Sequence, residues 1–297
     1  MTLVNHPAVP ELNCENGEEK GNSYRYRVLE NAVREHEIRL AFAVLRAAKI
    51  EPVLLKGWTV GRLYLVPGMR RLGDIDLLIS DEKCATASKA LQEHELNVDW
   101  HTLSDLKAEF AEPNDVVCRS ELLPLLDTHI RALCPEDNLH FVAIHMLKHG
   151  GWSPVWLSDV AVLLASRQPD FDWHLCLGSN VTQAGWVLSA LVLAHKLLGA
   201  DISGTPAENH QIPDWMTPAL LKAWKDPDPA NNQPPEAMWD ALTHPWRLPS
   251  GIRKRWPSPI TAAIKAKTPF EQHSPLVTQL RYCAELAGAF FRRAMRS

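Results

Sequence analysis

Residues 53–80 read VLLKGWTVGRLYLVPGMRRLGDIDLLIS, and the rest of the chain is organised around this stretch. The apolar run at its start predicts a short strand, and the Lys-Gly pair that follows predicts a turn into a helix. A Pro-Gly pair predicts a second turn before residues 74–79, whose sequence DIDLLI predicts another strand. The stretch therefore predicts a strand–helix–strand unit.

Two acidic residues stand in the second predicted strand. Because residues two apart on a strand point to the same side, Asp74 and Asp76 are expected side by side, while Ile75 and Leu77 enter a core. Adjacent carboxylates repel each other, and burying them unpaired costs free energy, which a divalent cation between their oxygens removes. The pair therefore predicts a metal site. The alternative is an Asp-x-Asp without a metal, because short motifs have many false positives.

The upstream turn supports the metal interpretation. A glycine between a strand and a helix lets backbone N–H groups approach a phosphate, and the helix N-terminus favours negative charge. Such a cradle, placed before a metal-binding strand, is the arrangement that holds a nucleoside triphosphate with its Mg²⁺. We expect Lys56, the Gly57 N–H group and Arg70 to offset the phosphate charge. The alternative for Arg70 is an ion pair with a strand carboxylate.

These residues resemble the signature of the uncharacterised bacterial nucleotidyltransferases, a family within the DNA polymerase beta-like nucleotidyltransferase superfamily. The matching positions are Lys56 and Gly57, Tyr64, Gly68, Arg70 and residues 73–78. The broader superfamily pattern is a Gly-Ser turn followed by Asp-x-Asp, and here Trp58 stands where the Ser usually follows the Gly. Thr59 and the ammonium group of Lys56 are the candidates to replace that hydroxyl contact to phosphate.

The resemblance implies an enzyme that transfers an NMP from an NTP to an acceptor and releases pyrophosphate, with two Mg²⁺ ions. The acceptor is expected to be the hydroxyl of a peptide, a protein or a small metabolite. Two alternatives remain open: a catalytically degenerate nucleotide- or peptide-binding module, and an RNA-modifying nucleotidyltransferase.

A third carboxylate is expected from residues 125–130, which read LLDTHI. A strand there places Asp127 and His129 on one face. The family has an acidic residue followed two positions later by His in a strand of this kind. The resemblance therefore implies that Asp127 joins Asp74 and Asp76 as a metal ligand, with His129 beside the nucleotide. The alternatives are a surface Asp on an edge strand and a structural His.

From residue 136 onward the chain has helical patterning. His145 and His149 are one turn apart on one helix face, but Met146 stands where the metalloprotease pattern H-E-x-x-H needs Glu. By resemblance to the family, Lys148 is expected to reach the triphosphate, and Asp159 to orient His149 or an acceptor. The alternative for the two histidines and Asp159 is a set of buried polar pairs between helices.

Composition bounds the class of protein. The chain has 297 residues, 46% of them hydrophobic and 22% charged, as in soluble globular proteins. We expect no membrane span, because no apolar run approaches ~20 residues. The N-terminal residues lack the pattern of a secretory signal, and the six cysteines lack a C-x-x-C pair, so a reduced cytoplasmic protein is predicted.

Charge is unevenly distributed along the chain. Residues 241–297 hold ten Lys or Arg against two Glu, whereas the whole chain has a net charge of −4. This basic segment has two interpretations. It is either a surface that contacts nucleic acid, an acidic peptide or phosphates, or only a solvated helix face. A sequence pI near 6.4 argues against nucleic acid as the partner.

The expected fold is α+β with a two-part organisation. A loose tail covers residues 1–23, and a polymerase-beta-like nucleotidyltransferase core, a small mixed sheet with flanking helices, covers residues 24–135. An all-helical C-terminal domain covers residues 136–297. The nucleotide is expected in the cleft between the two domains.

Overall fold

The computed structural model of the chain describes residues 17–107, 110, 113–225, 256–272 and 274–294. Five strands form one sheet: β1 (Val53–Leu54), β2 (Asp76–Ile79), β3 (Asp99–Thr102), β4 (Glu121–Leu125) and β5 (Thr128–Ala132). The described helices of the first half are α1 (Gly17–Ala47), α2 (Trp58–Gly61), α3 (Cys84–Glu93), α4 (Leu103–Leu106) and α5 (Pro113–Arg119). The second half has α6 (Pro135–Lys148), α7 (Pro154–Ala165), α8 (Trp173–Leu177), α9 (Val181–Leu198), α10 (Met216–Lys225), α11 (Pro259–Lys265) and α12 (Pro275–Ala294).

The strand order across the sheet is β3-β2-β1-β5-β4. β1 pairs antiparallel with β2 and parallel with β5, β2 pairs parallel with β3, and β4 and β5 form an antiparallel hairpin. The carboxyl ends of β1 and β5 therefore meet the amino ends of β2 and β3 at one edge, which we call the site edge. A small mixed sheet among many helices confirms the predicted α+β class.

The two faces of the sheet bury different cores. Ile75 and Leu77 are 2% and 0% exposed, and they pack with Phe42 of α1 and with α3, as the alternation predicts. Leu78 points the other way and packs with α4, α5 and Phe141 of α6. Residues two apart share a side, so the side chain of the first residue of β2 lies on the α6 face.

Helix α6 belongs to both halves of the molecule. Its Phe141 is part of the core on the sheet, whereas Leu139, Ala143 and Leu147 are part of the second core, built with α7, α9 and α11. α2 also joins this second core through Val60. The site edge and the helical half are therefore held together by buried apolar contacts.

Helix α9 is, among the described residues, the one helix long and apolar enough to cross a membrane, and half of it is buried inside the structure. Trp186, Ala190 and Leu193 on this helix form the centre of the second core. A buried core helix passes the same test of length and composition, so this single helix is weak evidence for a membrane span.

The start of the first helix differs from the prediction. Helix α1 begins at Gly17, inside the predicted tail, and residues 1–16 lie outside the described part of the chain. Residues 116–118 are an apolar run too short to distinguish a strand from a helix by sequence, and they belong to helix α5. The Pro-rich stretch after residue 200 is described to residue 225 and again from residue 256.

Candidate active site

A buried carboxylate with two basic partners lies at the site edge. Asp76 begins β2 and is 2% exposed. Its Oδ1 atom lies 3.0 Å from Nζ of Lys56, which follows β1, and 3.2 Å from Nε2 of His101 on β3. The hydrogen bond to Asp76 raises the pKa of His101 and outweighs the opposing effect of burial. Three neighbouring strands thus place one acid and two bases in contact.

The predicted glycine turn lies next to this group. Gly57 has φ +74° and ψ −95°, a conformation that residues with a Cβ rarely adopt, and it immediately precedes α2. A Cβ atom at Gly57 would meet the carbonyl oxygen of Asp74 at 3.6 Å, so the two backbones run side by side. Asp74 itself is exposed and lies two residues before Asp76, the first residue of β2. The Asp-x-Asp pair therefore has one buried and one exposed carboxylate.

The structure adds a site residue that the sequence analysis missed. Asp99 pairs directly opposite Asp76 in the parallel β2–β3 ladder. One ligand atom from each of Asp76, Asp99 and His101 lies within 4.8 Å of the others, so these three side chains are a candidate metal-binding group. The signal in the sequence is the spacing of Asp99 and His101, two residues apart in DWHT, which places both on one face of a strand.

The prediction that Asp127 completes the metal site is wrong. Asp127 lies in the two-residue turn between β4 and β5, its side chain is 74% exposed, and its nearest basic partner is Arg39 at 3.7 Å. β5 runs parallel to β1, and Ala132, not its first residues, pairs with Leu54. The turn is therefore at the opposite edge of the sheet from Asp76.

The prediction that His129 lies beside the nucleotide is wrong for the same reason. It is the second residue of β5, where it pairs with Pro124, and its backbone oxygen accepts a hydrogen bond from Arg46. Its side chain is exposed near the edge of the sheet that carries Asp127. It is not beside Asp76, and it is not a candidate ligand of a nucleotide bound there.

Neither residue after the glycine turn points into the site. Thr59 is 3% exposed, and its hydroxyl is within hydrogen-bonding distance of the Asn138 side chain on α6, at 3.3 and 3.4 Å. The predicted phosphate contact from Thr59 is therefore wrong, because the hydroxyl is used inside the core. Trp58 is also buried, and its Nε1 donates to Glu35 on α1 at 2.9 Å. The departure from Gly-Ser fixes α2 against α1, and of the two candidates only Lys56 remains to contact phosphate.

Arg70 has a partner that fixes its position. Its Nε and Nη2 atoms lie 3.0 and 2.9 Å from the two carboxylate oxygens of Asp159 on α7, and the Tyr64 hydroxyl donates to Asp159 Oδ1 at 2.8 Å. Arg70 thus joins an ion pair, as the alternative interpretation held, but with a helix carboxylate. Asp159 holds the loop before β2 against α7, and no described contact joins it to His149.

His145 on α6 and His149, which immediately follows this helix, lie near positively charged side chains. Burial lowers the pKa of His145 to about 2, and the positive charges of Lys56 and Lys148 act in the same direction. Burial also lowers the pKa of His149, and the charge of Lys148 is its largest electrostatic cause. Both imidazoles are therefore held neutral in a region of positive potential. Lys148 contributes to this potential at both imidazoles.

The fold and the site define an α+β protein with a buried strand carboxylate beside a glycine turn. A family model described as an uncharacterised nucleotidyltransferase matches residues 21–101 and 93–199. The two matches together cover more than half of the chain, and the protein belongs to this family. The first match includes Lys56, Asp74, Asp76 and Asp99 and ends at His101.

One solved structure is similar to this chain at low identity. It is the crystal structure of an antigenic nucleotidyltransferase-like protein from Paracoccidioides brasiliensis. The comparison covers 65% of this chain and 93% of that chain, with 12% sequence identity and a TM-score of 0.42. No curated protein matches the chain.

Proposed function

We propose that this protein transfers a nucleotidyl group from a nucleoside triphosphate to an acceptor hydroxyl and releases pyrophosphate. The observation that carries the proposal is Asp76, a carboxylate at 2% exposure that contacts an ammonium and an imidazole beside a glycine turn. His101 in this cluster has a raised pKa, caused first by its hydrogen bond to Asp76, and a shifted pKa of this kind is characteristic of functional sites. Family membership supports the general chemistry. The cytoplasm, predicted from the cysteine pattern, is the proposed location.

In the proposed reaction, the acceptor oxygen bonds to the α-phosphorus. The bond from that phosphorus to the oxygen bridging it to the β-phosphate breaks, and pyrophosphate leaves with the electron pair. Asp99, the exposed carboxylate of the group, takes the proton of the acceptor hydroxyl. Lys56 offsets the negative charge of the phosphates, while Gly57 lets the backbone approach them closely.

The donor set fits a divalent cation. Asp76, Asp99 and His101 offer two carboxylates and an imidazole within 4.8 Å, and Asp74 adds an exposed carboxylate before the same strand. Oxygen ligands suit Mg²⁺ and Mn²⁺, and the imidazole also suits Zn²⁺. A bound cation would supply Lewis-acid polarisation of a phosphoryl oxygen. We propose Mg²⁺ as the cation. Two Mg²⁺ ions bound together would be held by all three carboxylates, those of Asp74, Asp76 and Asp99.

The test compares Asp76→Asn and Asp99→Asn with wild type. The measurements are NTP binding with Mg²⁺ by calorimetry and Mg²⁺-dependent pyrophosphate release with candidate peptide and small-metabolite acceptors. We expect each variant to lose at least about 10²-fold in rate, the usual effect of removing one charge-stabilising group. The matched control is Asp127→Asn, which removes an acid at the opposite edge of the sheet and should keep the wild-type rate. Wild type that binds no NTP with Mg²⁺, or equal losses in all three variants, contradicts the proposal.

A specific observation favours a second function, a nucleotide-binding module without catalysis. Lys56 already neutralises the oxygen of Asp76 that a cation would use, and the carboxyl end of β5 offers Ala132 and Leu133 instead of a third acid. This alternative predicts NTP binding with no pyrophosphate release from wild type. It also predicts that Asp99→Asn leaves the affinity for NTP unchanged.

A further inference from the structure

Three rings follow one face of α6 and its C-terminal cap. Phe141, His145 and His149 are four residues apart, so their side chains lie on one side of the helix, and we call them the ring row. The ring centroids of Phe141 and His145 are 6.1 Å apart, and those of His145 and His149 are 4.6 Å apart. Phe141 is buried against the sheet with Val53 and Leu78, whereas His149, at the other end of the row, is exposed. The ring row therefore leads from the core on the sheet to the surface.

Aromatic neighbours hold the exposed ring of His149 in place. Its plane is tilted by 50° from the ring of His145 and by 55° from the ring of Trp156, whose centroid is 5.6 Å away. Neither of these two contacts is a parallel stack, so neither neighbour lies flat on the imidazole. Trp156 also contacts His145 at 5.2 Å and Trp152 at 5.0 Å, and it lies one helical turn before Asp159, which holds α7 against the loop before β2. His149 is thus an exposed ring on a fixed aromatic support.

The ring row lies beside the candidate active site. Phe141 packs on the face of the sheet that carries the Asp76 side chain. The positive charge of Lys56 acts on both His145 and His149, so both imidazoles lie near the ammonium group that contacts Asp76. Lys56 is also the group expected to contact the phosphates of an NTP. A nucleotide bound there by its phosphates therefore has the exposed end of the ring row beside it.

We propose that the base of the bound NTP stacks on the imidazole of His149. This inference rests on the proposed function and names the subsite for the end of the nucleotide that does not react. Bases stack on the rings of His, Phe, Tyr and Trp, because every base has a π-face. Binding the base at His149 while Lys56 contacts the phosphates fixes both ends of the nucleotide. The α-phosphorus between them is then held in one position relative to Asp76 and Asp99.

The test uses the full chain with Mg²⁺ and two probes, a non-hydrolysable ATP analogue and inorganic tripolyphosphate, which has the phosphates without a base. Calorimetry measures the binding of both probes to wild type, His149→Ala and His149→Phe. We expect His149→Ala to bind the ATP analogue about fivefold or more weakly than wild type and to bind tripolyphosphate equally well. His149→Phe keeps a flat ring and should bind the ATP analogue nearly as tightly as wild type. The matched control is His94→Ala, because His94 is exposed and caps α3 as His149 caps α6, and α3 packs on the opposite face of the sheet.

The outcomes separate the base subsite from the phosphate site. A loss of affinity that is confined to the ATP analogue, occurs in His149→Ala and is restored in His149→Phe supports the proposal. An unchanged affinity of His149→Ala, an equal loss for both probes, or the same loss in His94→Ala overturns the base subsite and leaves the proposed function standing. A loss that His149→Phe does not restore gives the imidazole a role other than stacking and also overturns the base subsite. Wild type that binds neither probe overturns the proposed function and the base subsite together.

Discussion

Replacing Asp159 by Asn removes the charge that holds the loop before β2 against helix α7. Asp159 and Arg70 are 4% and 13% exposed in their side chains, and both carboxylate oxygens contact the guanidinium. Loss of one partner from a buried pair typically costs about 3–5 kcal/mol, because the other charge stays buried without compensation. Arg70 keeps some solvent contact and the Asn oxygen can still accept from Tyr64, so we expect about 3 kcal/mol. Proteins of ordinary stability, about 5–15 kcal/mol, remain folded after such a loss.

The assay is urea unfolding, followed by far-ultraviolet circular dichroism, of Asp159→Asn and two comparison variants. Glu37→Gln breaks a half-buried pair with Arg34 at 2.7 Å, whose side chains are 31% and 37% exposed, and surface pairs contribute about 0–1 kcal/mol. The double variant Arg70→Met with Asp159→Leu removes both charges and should regain most of the lost stability. A loss for Asp159→Asn no larger than that for Glu37→Gln would refute the view that this pair fixes the loop.

Three further predictions concern single residues of the site. Asp76→Asn should lower the pKa of His101, because the hydrogen bond to Asp76 is the largest cause of its rise; an unchanged NMR titration of the His101 ring contradicts this. His145 is neutral in the folded protein, with its pKa near 2, so stability is full above the unfolded value of about 6.5 and is lost as pH falls below it. Between pH 7 and pH 5 this group alone removes about 2 kcal/mol, and His145→Asn should abolish that part of the loss in urea unfolding at the two pH values. Gly57→Ala should cost about 1–3 kcal/mol through its positive φ, whereas Gly73→Ala, with open space around its Cβ, should change little; equal unfolding midpoints for the two contradict the strain argument.

Local patterns were sufficient to predict the parts of the fold that they determine. The strand alternation of residues 75–79 correctly predicted which side chains enter the core on α1 and α3. Helix α9 is likewise specified by its own sequence, an apolar run closed by Gly199, which has the φ of +70° that glycine adopts at helix ends. In each case the information lies within one element, and neighbouring elements only complete the burial that the pattern specifies.

Pairing between strands is not encoded in this local way. Residues 125–130 have the composition of one strand, but the chain reverses at Leu126 and Asp127 to form a hairpin. Leu126 has φ +51° and is 61% exposed, and a Leu-Asp pair is not among the usual two-residue hairpin turns. The prediction of one strand over residues 125–130 is therefore wrong: Leu125 ends β4, Asp127 lies in the turn, and only His129 lies in β5.

The register of β2 and β3 explains why the acid at the site comes from a different strand. β3 is only half-buried and lacks apolar alternation, so nothing in DWHT marks it as a strand in isolation. Once it pairs parallel with β2, Asp99 stands opposite Asp76 and His101 stands opposite Leu78, and Lys56 arrives from the end of β1. Because both bases contact one oxygen of Asp76, removing either base leaves the carboxylate a positive partner, whereas removing Asp76 leaves two basic groups facing each other. The charge balance of the site edge therefore depends on Asp76 more than on any of its neighbours.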